Sequence, residues 1–189
     1  MPSAADTDAI DALLPQTQCT RCGFQGCRPY AEALANGTTQ LNRCPPGGSA
    51  LIESLAALLG RPSLPLDPDC GREAPATVAW IDPQACIGCA RCLPPCPVDA
   101  IIGAQRMLHT IIEADCTGCE LCLPVCPVDC IVMLPRSVRA APAHEPDPAL
   151  NRQRFQRHVA RASERTRMRA ALLAERKRVA RDGQRGGGA

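Results

Sequence analysis

Fourteen cysteines in 189 residues dominate the chemistry open to this sequence. Eight of them fall in two copies of one pattern. Cys86–Ile101 reads CIGCARCLPPCPVDAI, and Cys116–Ile131, thirty residues on, reads CTGCELCLPVCPVDCI. Eleven of sixteen aligned positions agree, including the four cysteines, Gly88 with Gly118, the Cys-Pro step and the Val-Asp after it. Thiolates are ligands for soft metal centres. Three of them at x2 spacing can wrap one loop around a small polymetallic object, with backbone N–H groups turned inward. Gly88 and Gly118 are expected to let that backbone come close to the object, with no Cβ in the way. Zinc sites more often pair two C-x2-C units across a longer gap, and disulfides would be strained at this density. The spacing favours iron–sulfur chemistry.

Each copy has the form C-x2-C-x2-C-x3-C-P and resembles the bacterial ferredoxins that carry two 4Fe-4S clusters. In that family the fourth cysteine of each run ligates the other cluster. The resemblance implies one cluster on Cys86, Cys89, Cys92 and Cys126, and a twin on Cys116, Cys119, Cys122 and Cys96.

A further set, Cys19, Cys22, Cys27 and Cys44, is spaced C-x2-C-x4-C-x16-C. By spacing alone, a structural zinc centre and an iron–sulfur cluster both remain open. The surrounding residues extend the comparison. LLPQTQCTRCGFQGCRPYAEA (Leu13–Ala33), NRCPPGG (Asn42–Gly48) and the two repeats, in that order, resemble the B subunit of the Rnf (Rsx) electron transport complex. The resemblance covers about residues 8–135. It implies a third 4Fe-4S cluster on Cys19, Cys22, Cys27 and Cys44, and redox partner proteins that include the membrane subunits of such a complex. Members of that family typically begin with a hydrophobic anchoring segment. Here five residues precede the first expected helix, so the expectation is a cytoplasmic chain without that anchor, peripheral on the inner face of the plasma membrane.

The elements that must position these cysteines can be read in order. Residues 6–14 suggest a short helix with Ile10, Leu13 and Leu14 on one side, ended by Pro15. Pro29 suits the first turn of a helix through Ala35, and Asn36-Gly37 its stop. A third helix runs from Gly47 to Leu59, closed by Gly60. Residues 61–76 read as an extended, Pro-rich linker in which Cys70 is a free thiol. Thr77–Ile81 is an expected strand, Ile101-Ile102 and Thr110–Ile112 a hairpin, and Ile131–Leu134 a partner for the first strand. Cys130 replaces Ala100 of the first repeat, which suggests a small buried residue beside a cluster. Asp99 and Asp129 suit turn capping, and His109, without a partner at ligand spacing, suits a structural role. The expected fold class is α+β: a small all-α four-cysteine domain (1–60), a linker (61–76), a bacterial two-cluster ferredoxin-like domain (77–135), then a linker and a basic, helical or disordered tail (136–189).

Composition agrees with a chain held together by cofactors. Four aromatic residues and thirty-three Pro and Gly leave little for a large apolar core, so metal clusters must supply much of the cohesion. No basic stretch followed by an apolar run opens the chain, which favours a reducing cytoplasm over a disulfide framework. No apolar run approaches the ~20 residues of a membrane helix. The net charge of +2 hides an asymmetry. Residues 150–189 carry twelve Arg and Lys against Glu164, Glu175 and Asp182, while the remainder is acidic. Such a tail suits an acidic redox partner, an anionic membrane surface or, least favoured, nucleic acid. No acid–base pair, nucleophile constellation or phosphate loop stands outside the cysteine motifs. The expectation is therefore an electron carrier rather than a catalyst by itself. It would serve as the relay component of an Rnf-like complex, ahead of a stand-alone ferredoxin and of a redox-responsive regulator.

Overall fold

The computed structural model describes residues 4–139 and 147–186. Three helices build the first module: α1 (Ala4–Leu13), α2 (Cys27–Ala35) and α3 (Gly48–Leu59). Ile10 and Leu14 lie four residues apart and are fully buried, each worth about 1.5–3 kcal/mol of apolar transfer. Leu13 is 41% exposed and leaves the face expected for it, while Asp11 turns inward. Tyr30, Leu34, Leu41, Ile52 and Leu55 complete this core. The helix α2 starts at Cys27, two residues before the predicted proline, because Pro29 still falls within the first turn, where no backbone N–H is needed. Glu73 reaches back to the start of α3 and accepts from the Ser49 N–H at 3.0 Å. Gly60, left-handed at φ 62°, ends that helix.

Residues 61–76 do not form the extended spacer expected of them. They wrap the first module. The Asp67 N–H donates to the Asn42 carbonyl at 2.9 Å, Asn42 Nδ2 donates to the Pro65 carbonyl at 2.6 Å, and Arg43 pairs with Asp67 at 3.1 Å. A 3-10 turn, Pro68–Cys70, then buries the Cys70 thiol.

The ferredoxin half contains two antiparallel ribbons. The strand β1 (Thr77–Ile81) pairs with β4 (Ile131–Pro135), Thr77 facing Pro135 and Ile81 facing Ile131. Between them, β2 (Ile101–Ile102) pairs with β3 (Thr110–Ile111). Both pairings match the sequence reading. The core is small and made of Val78, Ala79, Ile81, Val98, Ala100, Ile101 and Ile131 together with cysteines. The two repeats follow one backbone path. Left-handed residues recur at Gly88 and Gly118 (φ 68° and 70°), Ala90 and Glu120 (60° and 64°), and Asp99 and Asp129 (52° and 48°).

After β4 the chain enters a short helix, α4 (Arg136–Arg139). The buried Arg136 guanidinium donates to the carbonyls of Glu113 and Cys116, which ties the end of β4 to the second cysteine loop. Residues 140–146, inside the expected linker, and 187–189 lie outside the described residues. The last helix, α5, spans Pro148–Gly186. Asp147 caps it by accepting from the Ala149 N–H at 2.8 Å, with Pro148 at the first helical position. The basic tail read as one segment divides at Phe155, where the first compact unit ends. Before that point Asn151 is buried, Arg152 pairs with Asp11 at 2.8 Å and Arg154 pairs with Asp115. Residues 156–189 form the second unit, in which the described residues are helical and exposed Val159, Met168, Leu172 and Leu173 make a sparse apolar set.

Candidate iron–sulfur centres

Among the described residues, two cavities in the ferredoxin half are ringed by thiols, four around one and five around the other. One is lined by Cys96, Cys116, Cys119 and Cys122, with Ala79, Ala100, Ile101 and Met133 on its walls. The other is lined by Cys86, Cys89, Cys92 and Cys126, with Ile81, Ile131, His109 and Cys130. Apart from Cys130, each cavity takes three cysteines from one repeat and a fourth from the other, the crossed grouping that the ferredoxin resemblance implies. Soft thiol donors around a largely apolar hollow suit a polynuclear iron–sulfur cluster. Backbone N–H groups point at two of these sulfurs. Ala79 donates to Cys116 Sγ at 3.4 Å, and Ala100 to Cys96 Sγ at 3.2 Å. Such contacts are the outer-shell interactions that tune a cluster.

The glycines of the two loops have a different reason from the one expected. A Cβ on Gly88 would stand 2.8 Å from the backbone N and O of Met107, and one on Gly118 would stand 2.6 Å from the Thr77 carbonyl oxygen. The missing side chain makes room for a neighbouring segment of polypeptide, which braces the loop from outside. The Arg106 N–H donates to the Gly88 carbonyl at 2.8 Å and adds to that brace.

Burial governs the thiols. It is the largest cause pushing Cys92 and Cys119 up to about 11, and Cys27 and Cys122 up to about 12. Ligation requires thiolates, so loading these sites must release protons. Cys130 is the small buried residue that was expected. Burial, then the neighbouring Cys126, pushes its thiol up to about 12, and its Sγ lies 3.5 Å from Cys126 Sγ. Asp99 and Asp129 are exposed and occupy the left-handed turn position after each Cys-Pro step, consistent with a turn role. Sequence reasoning missed what His109 touches. It is 3% exposed, with Nδ1 3.5 Å from Cys86 Sγ.

The N-terminal set is held by side chains instead. Cys22, Cys27 and Cys44 are buried and Cys19 is half-buried. Burial raises the Cys44 thiol most, and the charges of Cys27, Cys19 and Cys22 raise it further, as four neighbouring thiols should. The loop before them runs through left-handed Gln16, Gln18 and Thr20. A buried chain of hydrogen bonds stabilises it. Gln16 Nε2 donates to Asp11 Oδ1 at 3.0 Å, Gln18 Nε2 to Gln16 Oε1 at 2.8 Å, and the Cys27 N–H to Gln18 Oε1 at 2.8 Å. Arg43 Nε holds the Cys22 carbonyl at 3.1 Å from the other side. None of these polar partners was legible as part of a metal site. The only signal was their position in a motif without alternating or helical periodicity.

This loop also meets the second ferredoxin loop. Thr117 Oγ1 donates to the Thr17 carbonyl at 3.1 Å, and Arg21 pairs with Glu120. The Arg21 guanidinium is raised first by its hydrogen bond to Glu120, and it also feels the charges of Cys19 and Cys119. One cation thus stands between a cysteine of each group.

Comparison with known proteins agrees with these motifs. Residues 79–133 match the 4Fe-4S dicluster domain, and residues 14–46 match a family described as a putative Fe-S cluster. Iron–sulfur clusters are therefore the cofactors of this chain. A protein of Alkalilimnicola ehrlichii, named as the B subunit of an ion-translocating oxidoreductase complex, is 58% identical over 143 residues, 75% of this chain and 76% of the relative. Proteins of the same name from Azoarcus sp. and Thiobacillus denitrificans are 56% and 59% identical over 106 and 105 residues. In both cases the match covers 56% of this chain, and it spans 58% and 56% of the relatives' own length. No helix among the described residues is long and apolar enough to cross a membrane. With this identity over three quarters of a relative, and both cysteine modules matched, the chain belongs to the family of B subunits of ion-translocating oxidoreductase complexes.

Proposed function

We propose that this chain relays single electrons through three 4Fe-4S clusters as the B subunit of an Rnf-like ion-translocating complex. The observation that carries the reading is the crossed grouping of eight thiols around two cavities. Cys86, Cys89, Cys92 and Cys126 would hold one cluster, Cys116, Cys119, Cys122 and Cys96 its twin, and Cys19, Cys22, Cys27 and Cys44 a third. When bound, each cluster supplies a one-electron couple. The residues around it do the rest. Exchanging the fourth cysteines between the repeats keeps the ferredoxin pair within one small core. The Thr117–Thr17 and Arg21–Glu120 contacts hold the N-terminal loop against the second-repeat loop, which favours the order N-terminal, second-repeat, first-repeat along the relay. Residues 1–60 and 77–135 act as the two cluster-bearing modules, with 61–76 as a packed strap rather than a tether. Anaerobically reconstituted protein should contain about twelve irons and twelve acid-labile sulfides per chain. Near eight of each, with one zinc, would overturn the third cluster.

The partners in this reading are redox proteins and the membrane subunits of such a complex, with this chain peripheral at the membrane. Residues 156–189 carry ten Arg and Lys against three acidic residues, which supports an anionic membrane surface as an auxiliary contact. Each basic residue near such a surface adds about 1 kcal/mol, screened over ~8 Å at physiological salt. Salt-sensitive flotation with anionic vesicles should be lost in a chain ending at Phe155, where the packed turns of α5 remain. Equal flotation of both chains would remove the tail from this role.

A further inference from the structure

The two ferredoxin cavities share a backbone but not their neighbours. Gly118 packs against Thr77 and Gly88 against Met107, so Ala79 and His109, two residues further along each segment, hold equivalent places. Ala79 brings a methyl group, and its backbone N–H serves Cys116. His109 brings an imidazole, with Nδ1 3.5 Å from Cys86, the first cysteine of the other repeat. A second difference lies at the end of the motifs, where Ala100 of one cavity is Cys130 in the other. The Cys130 sulfur stands 3.5 Å from Cys126. Both polar groups therefore surround one cavity, and each reaches a different one of its sulfurs.

The His109 ring is fixed in place. It is 3% exposed, and Gly103 leaves it room, since a Cβ there would stand 2.2 Å from the ring. Its Nε2 is buried without a hydrogen-bond partner among the described residues. An unpaired buried N–H is costly, so the proton belongs on Nδ1, facing the Cys86 sulfur. Cys126, as a ligand thiolate, can only accept, which makes the Cys130 S–H the donor of that pair.

We infer that His109 and Cys130 hold the reduction potential of the first-repeat cluster above that of its twin and make it the electron-accepting end of the pair. Reduction adds negative charge to the cluster and its sulfurs. The imidazole and the thiol add side-chain donors and a polar wall that stabilise that charge, whereas the twin has methyl groups at those two places and backbone N–H donors alone, from Ala79 and Ala100. The inference rests on the ligand assignment proposed above.

The test is a redox titration of the reconstituted full-length chain followed by electron paramagnetic resonance, with iron and sulfide measured on each sample. His109→Ala should lower the potential of one ferredoxin cluster and leave the other in place. The shift should move the equilibrium between the two at least tenfold toward the twin, which is about 59 mV for a one-electron couple. His109→Gln keeps a donor and should recover part of it. Cys130→Ala copies the native residue of the other repeat and should lower the same cluster by less, while Ala100→Cys should raise the twin. Missing iron in the unaltered protein would count against the ligand assignment. Full loading with unchanged potentials, or equal shifts of both clusters, would overturn the tuning. If His109→Ala fails to load, the opposed shifts of Cys130→Ala and Ala100→Cys decide the matter.

Discussion

In the ferredoxin half, the cysteine loops are set by backbone. Left-handed residues recur at matching positions, and a neighbouring segment lies where the Cβ of Gly88 or Gly118 would be. In the N-terminal module the Cys19 loop is set by side chains. Asp11, Gln16 and Gln18 form a buried chain that ends on the Cys27 N–H, and Arg43 holds the Cys22 carbonyl. The left-handed positions of the backbone scaffold lie within the motif and recur in both copies, which agree at eleven of sixteen positions. A side-chain scaffold depends on residues spread along the chain, from Asp11 to Arg152, whose guanidinium donates to the Asp11 carbonyl at 2.6 Å. The two kinds of site should therefore fail in different ways.

The largest effect is expected where the backbone scaffold is blocked. Gly118→Ala forces a left-handed alanine into the Thr77 carbonyl, combining roughly 1–2 kcal/mol of conformational cost with about 1–3 kcal/mol of overpacking. Because each ferredoxin cavity takes a cysteine from the other repeat, both should lose iron while the N-terminal site keeps its own. Iron retention in the purified variant measures this, and full loading of the ferredoxin half would break the contrast. An intermediate effect follows from Gln18→Ala, which strands the Cys27 N–H and Gln16 Oε1. Leaving buried groups unpaired costs about 1–3 kcal/mol, and here it should weaken only the N-terminal site. Cluster-resolved spectra after mild heating would show that selectivity, and equal loss at all sites would contradict it. The smallest effect belongs to the Arg21–Glu120 pair between the loops. Both side chains are only half-buried, so a double-mutant cycle should return about 0.2–1 kcal/mol. A larger coupling would mean that the two scaffolds depend on each other more than their separate hydrogen-bond systems imply.

Much of the site was legible because thiol spacing is local information. The cysteine motifs, the two ribbons and the three helices of the first module all follow from residues that sit close along the chain. The misreadings share one cause. Gly88 and Gly118 show that a Cβ is absent, but not that Met107 and Thr77 occupy the space. The residues of 61–76 look like a spacer because their anchors, Asn42 and Arg43, lie some twenty residues away. The turns of α5 before Phe155 look like free tail because Asp11, the partner of Arg152, is 141 residues distant.

Sequence alone determined the iron–sulfur chemistry and the motifs that carry it, because a metal cluster demands donors of one type at short, repeated intervals. Tertiary structure alone decided which surroundings each cluster has. The imidazole of His109 meets Cys86 across a hairpin, 23 residues away, and the equivalent place in the other cavity is filled by Ala79 from β1. Ligand identity is a property of the motif. The field around the ligands comes from segments that only folding brings there, and packing sets their contacts at distances that no spacing rule encodes.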